Sequence, residues 1–528
     1  MVRFHARAAG AALLLALAGF GIRPLHAQGG NNVDIIVGTV SDASGKPVAG
    51  AVVEAFSIET EVTRRGTTND KGQYRIIIDA GGGQSQYRIS VKAIGKNPAI
   101  YNVARGSDDD RIILNVKLGE TAVKLQDLVA NAGRRPNPDQ MENRQTAGES
   151  SRSISGDQAM RLPIDASDLA ALAALAPGVI LTTGTDSTAA TFSVAGQSAA
   201  SNTYVINGQT TTSSSVPQDA VRSTRVITNS FDVARGNFSG GMVSVTTKGG
   251  GNRVTGSLSS GLQSPDLAWG GNTSTAFGAG QTTENFGGGF GGPLKRNVTA
   301  LFGGFQVNRS RSPIPSLDIA DPTTLARLGA SPDSVNKFIQ LVQSTGLTAR
   351  AGSISPDRSQ DRFTSVVRFD WNAGQVHVIT FTGQLALNGT DPQSIGSTSL
   401  PQVGGNNTGN SGSGGLQVTS RFNNGMVNAF RGGYTASNAT STPFLSVPVG
   451  RVTNYSPIDS GGVAVNTFGF GGNAGMPRTS NTKTLELSNE LSLISPAGAH
   501  RWALGLYGNK QDFDQDATSN RFGTFMYN

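Results

Sequence analysis

The 528-residue sequence contains no cysteine and only four histidines. The lack of cysteine excludes disulfide scaffolds, thiolate metal sites and cysteine nucleophiles. Two of the histidines, His5 and His26, lie near the N-terminus, so a histidine-based zinc site lacks ligands. Charged residues make up 15% of the chain and its formal net charge is +7, which is too small for a dedicated nucleic-acid-binding surface. We therefore expect no metal site and no nucleic-acid partner.

Catalytic motifs are also missing. The sequence has no P-loop and no serine between spaced glycines of the kind found in a nucleophile elbow. Gly287, Gly289 and Gly292 match a dinucleotide-binding pattern by spacing, but they lie in a glycine-rich alternating stretch with no following helix. His377 and His500 have no triad partners nearby and fit strand or turn positions. We expect a protein that is not an enzyme and has no cofactor.

The N-terminus has the pattern of an export signal. Arg3 and Arg7 precede an apolar run over 8–22, and Ala27-Gln28 follows. A basic start, an apolar stretch of about 15 residues and a small residue before the cut are typical of a secretory signal peptide. The run is shorter than the roughly 20 residues of a membrane-spanning helix. We predict a signal peptide over 1–27, cleaved between Ala27 and Gln28.

Residues 33–119 alternate like the strands of a small β-sandwich. Tyr87, Ile89 and Val91 alternate with polar neighbours, which is the period of a half-buried strand. Turn residues at 44–47 and 69–72 separate such runs. We predict six or seven strands in a transthyretin-like or immunoglobulin-like sandwich.

Three segments of this sandwich carry a family resemblance. The sequences GTVSD at 38–42, GKPVAGA at 45–51 and TTNDKGQY at 67–74 resemble the carboxypeptidase regulatory-like domain. The resemblance implies no peptidase, because the zinc peptidases need two histidines and a glutamate and this segment has no histidine. An acidic run at 108–110 offers oxygen ligands for Ca²⁺, but a solvated turn is the favoured interpretation.

A linker over 120–145 follows the sandwich. It begins with a short apolar run, and its remainder is too polar to bury a core. The run consists of Leu125, Gln126, Asp127, Leu128, Val129 and Ala130. Composition alone leaves two interpretations open. The run is the last sandwich strand fraying into a spacer, or it is a strand that a partner's sheet edge captures through main-chain hydrogen bonds.

Residues 146–250 have the pattern of a compact α/β unit. The sequence predicts a helix over 168–176, capped by Ser167 and ended by Pro177-Gly178. Short strands are predicted at 191–195, 203–206, 223–228 and 242–247. A glycine-rich link joins the last two strands.

Five short motifs occur in this unit. They are Leu162-Pro163, Leu175-Ala176-Pro177-Gly178-Val179, Tyr204-Val205-Ile206-Asn207-Gly208, Arg225-Val226-Ile227 and Gly240-Gly241-Met242-Val243-Ser244-Val245-Thr246-Thr247-Lys248-Gly249-Gly250. Their order resembles that in TonB-dependent outer-membrane receptors, and the chain resembles the branch of that family with an extra N-terminal domain. The resemblance implies that 146–250 is the plug of a large barrel. It also favours the apolar run of the linker as the energy-coupling box that binds TonB, although its sequence departs from the more Val/Thr-rich family pattern.

From residue 253 onward the chain alternates like a transmembrane β-barrel. Val254, Leu258 and Leu262 alternate with polar residues, as do Val367 and Phe369, which suits a wall with lipid on one side. Strands are predicted at 253–263, 283–292, 298–309, 362–371, 376–388, 414–422, 426–437, 482–494, 501–513 and 521–528. Their links alternate between short and long, which is the signature of periplasmic turns and extracellular loops. The long link at 310–361 is predicted to hold a helix near 334–343.

About ten strands are too few for a barrel that encloses a plug, which needs about twice that number. We therefore expect 253–528 to be a partial transmembrane antiparallel barrel and the sequence to be the N-terminal part of a longer protein.

The resemblance implies an outer-membrane receptor. Its partners would be TonB with its inner-membrane energising complex, outer-membrane lipid and an extracellular ligand that the sequence does not identify. The rival hypothesis is a surface adhesin or binding protein with a passive barrel. Loss of the linker's apolar run would abolish uptake in the first case and change nothing in the second.

Overall fold

The computed structural model describes residues 33–58, 61–79, 86–104, 111–119, 150–162, 164–182, 191–229, 240–267, 280–348, 354–374, 376–422, 426–457, 462–494 and 501–527. These residues form a sandwich, a smaller α/β unit and a long antiparallel sheet, which confirms the mainly-β fold class. The predicted cleavage site and residues 125–130 lie outside them. No helix within these ranges combines the length and the hydropathy needed to cross a membrane.

The sandwich has eight strands rather than six or seven. They are β1 (Val33–Asp42), β2 (Val52–Ser57), β3 (Thr63–Thr67), β4 (Gln73–Asp79), β5 (Gln86–Lys92), β6 (Ala99–Ala104), β7 (Arg111–Ile113) and β8 (Val116–Leu118). One sheet has the order β4-β1-β7, with β8 also on β1, and the other has the order β3-β2-β5-β6. Tyr87, Ile89 and Val91 are fully buried between the sheets, as their alternation predicts.

The short strands β7 and β8 lie one after the other along the same neighbour, β1. Both β7 and β8 pair in parallel with β1, one with its middle and the other with its end. Between them the side-chain carbonyl of Asn115 accepts from the Thr39 N–H at 3.0 Å, and the backbone carbonyl of Leu114 accepts from the Tyr74 hydroxyl at 2.7 Å. These bonds occupy the gap in the ladder, so the chain forms two short strands here.

The α/β unit, which we call the plug, follows. Its elements are β9 (Ser150–Ser155), α1 (Gly156–Ala159), α2 (Leu169–Ala173), β10 (Val179–Thr182), β11 (Thr191–Val194), β12 (Thr203–Ile206), β13 (Gln209–Thr211), β14 (Val221–Asn229) and β15 (Met242–Thr247), with 3₁₀ turns at Ala199–Ser201 and Gln218–Ala220. Five strands form one sheet in the order β13-β12-β15-β14-β9, and β10 pairs with β11. Leu169, Leu172 and Val243 are among the fully buried core residues.

The start of α2 differs from the prediction. Asp168, not Ser167, is the N-cap, and its side chain accepts from the backbone N–H groups of Ala170 at 2.9 Å and Ala171 at 3.4 Å. The Ser167 hydroxyl instead donates to Asp165 at 2.7 Å. The prediction of Ser167 was wrong because two adjacent residues both have good capping side chains, and Asp165 engages the first of them.

The long sheet, which we call the wall, has nine consecutive antiparallel strands in one sheet. They are β16 (Thr255–Gln263), β17 (Thr282–Lys295), β18 (Thr299–Pro313), β19 (Asp357–Ala373), β20 (His377–Gln393), β21 (Gly405–Arg421), β22 (Met426–Pro443), β25 (Arg478–Ile494) and β26 (Arg501–Asp516). Leu258, Val367 and Trp502 are exposed on its outer face. Residues of the opposite parity, such as Gln306 and Thr364, are buried against the plug.

The links of the wall alternate as predicted. At one end of the sheet the strands β17 and β18, β19 and β20, β21 and β22, and β25 and β26 are separated by three to six residues each, and at the other end the connections are longer. We call these the turn end and the loop end. Several strands extend well beyond their predicted bounds at the loop end. For example, β21 begins at Gly405 rather than at 414, because its main-chain ladder continues through a Gly/Asn/Ser-rich stretch that shows no apolar alternation.

The long loops contain a small structure of their own, which we call the loop cap. It comprises β23 (Val449–Pro457), β24 (Val463–Gly471), β27 (Thr524–Tyr527), α3 (Pro322–Arg327) and α4 (Pro332–Ser344), with 3₁₀ turns at Leu317–Ile319 and Pro401–Val403; a further 3₁₀ turn, Pro265–Leu267, lies in the first long loop. The helix predicted near 334–343 corresponds to α4. The tenth predicted wall strand, 521–528, does not join the wall, because β27 pairs in parallel with β23 instead.

Candidate functional site

The tip of a plug hairpin contacts the wall. Asn207 and Gly208 form the turn between β12 and β13, with φ angles of 50° and 83°. A two-residue hairpin of this kind needs positive φ at both positions, which explains the Asn-Gly sequence. The Asn207 amide donates to the hydroxyls of Thr247 at 2.8 Å and Thr382 at 3.1 Å. One side chain therefore joins the turn, the last plug strand and wall strand β20.

The strand after this turn continues the contact. The Gln209 amide donates to the Gly414 carbonyl at 2.9 Å, and the Thr210 N–H donates to Glu486 at 3.0 Å. A Cβ on Gly415 or Gly433 would lie 2.0 Å or 2.1 Å from the Gln209 side chain. Glycine at these wall positions therefore allows the hairpin to approach the sheet.

A polar cavity lies beside the hairpin. It has a volume of about 130 Å³ and lies between the hairpin β12–β13 and the wall strands β20, β21, β22, β25 and β26. Arg431 forms an ion pair with Glu490 at 3.6 Å, and the Tyr507 hydroxyl donates to Glu486 at 2.7 Å. The Arg431 side chain lies over Gly208, where a Cβ would be 3.0 Å from its Nε atom. Charged groups thus line the boundary between plug and wall.

The segment that leaves the plug forms a second contact, and we call Thr247–Gly250 the plug exit. Arg368 donates to the Thr247 carbonyl at 3.0 Å and pairs with Asp370 at 2.9 Å. The Lys248 N–H donates to the Ala220 carbonyl at 2.8 Å. A Cβ on Gly249 would lie 2.9 Å from Asp370, so the exit passes tightly over this ion pair near the turn end.

A third contact is the 3₁₀ turn Gln218–Ala220. The Gln218 N–H donates to the Gln306 side chain at 2.8 Å, and the Gln218 amide donates to Ser259 at 2.9 Å. Asp219 accepts from the Ser257 hydroxyl at 2.7 Å and also from Ser259. Like the other two contacts, this one contains hydrogen bonds, and here Ala220 also packs in a small buried apolar cluster with Phe302 and Val366 of the wall.

The remaining predicted motif residues lie inside the plug. Pro177 and Gly178 lie between α2, which ends at Ala173 and is therefore shorter than predicted, and β10, which begins at Val179; Gly178 has a φ of 77°. A Cβ on Gly240 would lie 2.4 Å from the Asn202 side chain, and one on Gly241 would lie 2.5 Å from Val194. These five residues shape the plug. The wall contacts involve Asn207, Gly208, Thr247 and Gly249, with Lys248 bonded within the plug between them.

Sequence reasoning missed the wall side of the site. Arg368, Asp370, Glu486 and Gln306 have the inward parity of their strands, and that parity is readable from the sequence. Which inward residues meet the plug depends on strand register and on long-range packing, which the sequence pattern does not give. Among the described residues, no three His, Asp or Glu side chains are grouped as metal ligands would be.

Two carboxylates, Asp165 and Asp168, lie at the start of α2. Burial raises the pKa of Asp168, although two backbone N–H groups and Arg362 act in the opposite direction. Asp165, beside it, accepts from the Asn308 amide of the wall at 3.1 Å. A polar side chain of the wall thus also meets the plug at this position.

Two family models match the sequence. A model of the carboxypeptidase regulatory-like domain matches residues 35–119, and a model of an outer membrane β-barrel domain matches residues 334–528. No curated protein matches the chain.

Solved structures with a similar fold include two receptors and one outer membrane transporter. A mutant ferric enterobactin receptor PfeA from Pseudomonas aeruginosa has 15% identity and a TM-score of 0.46, and covers 70% of this chain and 49% of its own. The siderophore receptor PirA from Acinetobacter baumannii has 16% identity and a TM-score of 0.48, with coverage of 70% and 49%. The outer membrane transporter YddB from Escherichia coli has 13% identity and a TM-score of 0.45, with coverage of 70% and 57%.

The chain spans about half the length of these structures. The match to the barrel family indicates an outer-membrane location. The two family models confirm the predicted regulatory-like domain and the predicted outer-membrane barrel. The chain carries an N-terminal carboxypeptidase regulatory-like domain and an outer-membrane β-barrel domain.

Proposed function

We propose that the chain acts as a TonB-dependent outer-membrane receptor, which binds a scarce extracellular ligand and imports it with energy transmitted by TonB. The observation that carries this proposal is the position of the plug. It packs against the polar inner face of a sheet whose outer face exposes apolar side chains such as Leu258 and Phe290. A folded unit on the water-facing side of a lipid-facing wall blocks the path that the wall would otherwise enclose.

The chemistry of the plug contacts supports a plug that moves. The hairpin, the plug exit and the 3₁₀ turn all meet the wall through hydrogen bonds. A hydrogen bond stabilises a contact by only about 1 kcal/mol between neutral groups and by about 1.5–3 kcal/mol when one group is charged, as Arg368 is, because water replaces the lost partner. Such contacts hold the plug at rest and re-form after displacement, whereas a large apolar interface would resist wetting.

Tight capture of a dilute ligand requires that its release be driven by work from elsewhere. The linker run of Leu125, Gln126, Asp127, Leu128, Val129 and Ala130 is our candidate for the segment that receives this work. TonB would add the run to its own sheet by main-chain hydrogen bonds and pull on the plug through Ser150, the first residue of β9. No step of this proposal requires catalysis or a cofactor.

The test is capture of the full-length protein in detergent by the purified periplasmic domain of TonB. We expect deletion of residues 125–130 to abolish capture. Leu128→Pro should weaken capture about tenfold or more, because proline lacks the N–H that strand pairing needs. Leu128→Ala keeps that N–H and should change capture less.

A deletion of residues 131–136 is the matched control, since it shortens the linker equally and leaves the run intact. Undiminished capture after loss of 125–130 would contradict the receptor proposal. It would favour the adhesin hypothesis, in which the barrel is passive.

A further inference from the structure

The N-terminal sandwich touches the turn end of the wall through a short stretch at the start of β3. The Glu61 carbonyl accepts from the Asn252 amide at 2.9 Å, and the Thr63 N–H donates to the Asn297 side chain at 3.3 Å. The Arg64 guanidinium donates to the Asn372 side chain. Contacts within four consecutive residues thus reach three separate parts of the turn end.

The three asparagines also bond to one another, and we call them the asparagine triad. The Asn252 amide donates to the Asn297 side chain at 2.7 Å, and the Asn297 N–H donates back to Asn252 at 2.7 Å. Asn372 donates to the Asn297 carbonyl at 3.2 Å. Asn252 follows the plug exit, Asn297 lies in the first short turn, and Asn372 lies near the end of β19. The triad therefore joins the segment that follows the plug exit to the wall, at the position where the sandwich contacts the wall.

A small cavity lies beneath this contact. Its volume is about 40 Å³, and its lining includes Val62 of the sandwich, Arg222 of the plug, the exit glycines and the Arg368–Asp370 pair. Val62 lies between the two residues whose main chains bind the triad. The sandwich therefore forms one side of the space into which the plug exit faces.

The contact is polar, whereas each neighbouring domain is held by its own apolar core. Among the described residues, no buried apolar cluster includes both sandwich and wall side chains. Polar interfaces between domains are typical of partners that separate and rejoin. The sandwich also precedes the linker that leads to the plug, so a pull on residues 125–130 would act on both.

We propose that the N-terminal domain docks on the asparagine triad as a reversible cover over the plug exit. The biological meaning of this cover rests on the proposed receptor function, because the plug must leave through the turn end that the cover occupies. The docking itself is a property of the chain and is measured without TonB.

The first experiment is hydrogen exchange of the full-length protein in detergent without any partner. Arg64→Ala removes a contact from the sandwich surface. Asn297→Gly removes the triad amide, and glycine accepts the φ of 60° found at that position. Both variants should raise exchange at residues 249–252 about tenfold, as expected when a covered segment opens to solvent more often. Exchange at residues 207–210, on the far contact, should not change.

The matched control is Arg88→Ala, a change to an exposed arginine on β5 of the same domain. It should leave exchange at residues 249–252 as in the unaltered protein. Equal exchange at the exit in the unaltered protein, Arg64→Ala and Asn297→Gly would overturn the proposal.

The second experiment uses the absence of cysteine, which makes an introduced pair unique. Val62→Cys combined with Val298→Cys, two residues that line the small cavity from the sandwich and from the wall and leave the triad intact, should form a disulfide on mild oxidation. Ile94→Cys, at a fully exposed turn of the sandwich, should not cross-link to Val298→Cys. Equal cross-linking of the two pairs would overturn the cover. Failure of TonB capture would instead count against the receptor function alone, because neither readout here involves TonB.

Discussion

The two ends of the wall are held together by different physics. At the loop end, Leu317, Phe338, Phe468 and their neighbours form a buried apolar core, with the rings of Phe338 and Phe468 5.2 Å apart. At the turn end, the asparagine triad and the plug exit are held by hydrogen bonds and close glycine contacts. Apolar burial stabilises a contact in proportion to area, while each hydrogen bond adds little beyond what water offers.

Under the proposed receptor function, this difference gives the two ends of the wall different tasks. An outer surface that recognises a ligand benefits from a shape fixed by its own core, so that binding does not have to order it. An inner surface through which a plug moves benefits from contacts that break and re-form. The predictions below test whether the loop cap is the rigid end and the turn end is the labile one.

The largest expected effect is in the loop cap. Phe468 is fully buried against Phe338, and Phe468→Ala should destabilise the cap locally by about 3–5 kcal/mol through lost burial and a cavity. Hydrogen exchange at α4 measures this change. Val465→Ala, on the exposed face of the same strand, is the control and should have little effect. Unchanged exchange at α4 in Phe468→Ala would remove the distinction between the two ends.

A smaller effect is expected at the plug exit. A Cβ on Gly250 would lie 2.7 Å from the Leu301 carbonyl oxygen and 2.8 Å from its nitrogen, and backbone atoms give way at a cost. Gly250→Ala should therefore destabilise the exit by about 1–3 kcal/mol, seen as faster exchange at residues 247–251. At Gly303, which lies on β18 as Leu301 does, a Cβ would meet nothing within 4 Å.

Gly303→Ala is accordingly the matched control, and its exchange at the exit should equal that of the unaltered protein. An effect as large in Gly303→Ala would mean that glycine in the wall matters for strand flexibility and not for close approach of the plug.

The sequence pattern predicts the wall strands and helix α4, but not the strands β23 and β24 of the loop cap. Alternation located the nine wall strands, because one face meets apolar surroundings and the other meets the plug. Helix α4 was also predicted, and its apolar residues Val335, Phe338 and Val342 have helical spacing. The sequence pattern predicts no strands at β23 and β24, because they lie within a long link and their pairing is established only by the tertiary fold.

The turn end was predicted less well. The Asn207-Gly208 turn and the exit glycines were singled out by their motifs. Asn252, Asn297 and Asn372 were not, because asparagines in turns are common and nothing local indicates that three of them meet. Their contacts with one another join positions 45 and 75 residues apart, and their contacts with the sandwich join positions more than a hundred residues apart. Only register and domain placement bring them together.

The smallest expected effect separates the stability of the sandwich from its docking. Asp42 accepts from the Ser44 hydroxyl at 2.6 Å and from the Lys46 N–H at 3.0 Å, and these bonds, with the charge of Lys96, lower the pKa of its carboxyl below 3.8. The stabilising contribution is therefore present above pH 3.8 and is lost as the pH falls through the lowered pKa. Exchange at the Ser44 and Lys46 amides should accelerate on acidification in the unaltered protein, beyond the intrinsic pH effect, and Asp42→Asn should flatten this response. The contacts of Glu61, Thr63 and Arg64 with the triad use no carboxylate side chain, so cross-linking of the introduced cysteine pair at neutral pH should be equal with and without Asp42→Asn. Loss of cross-linking in Asp42→Asn would mean that docking depends on the fold of this turn.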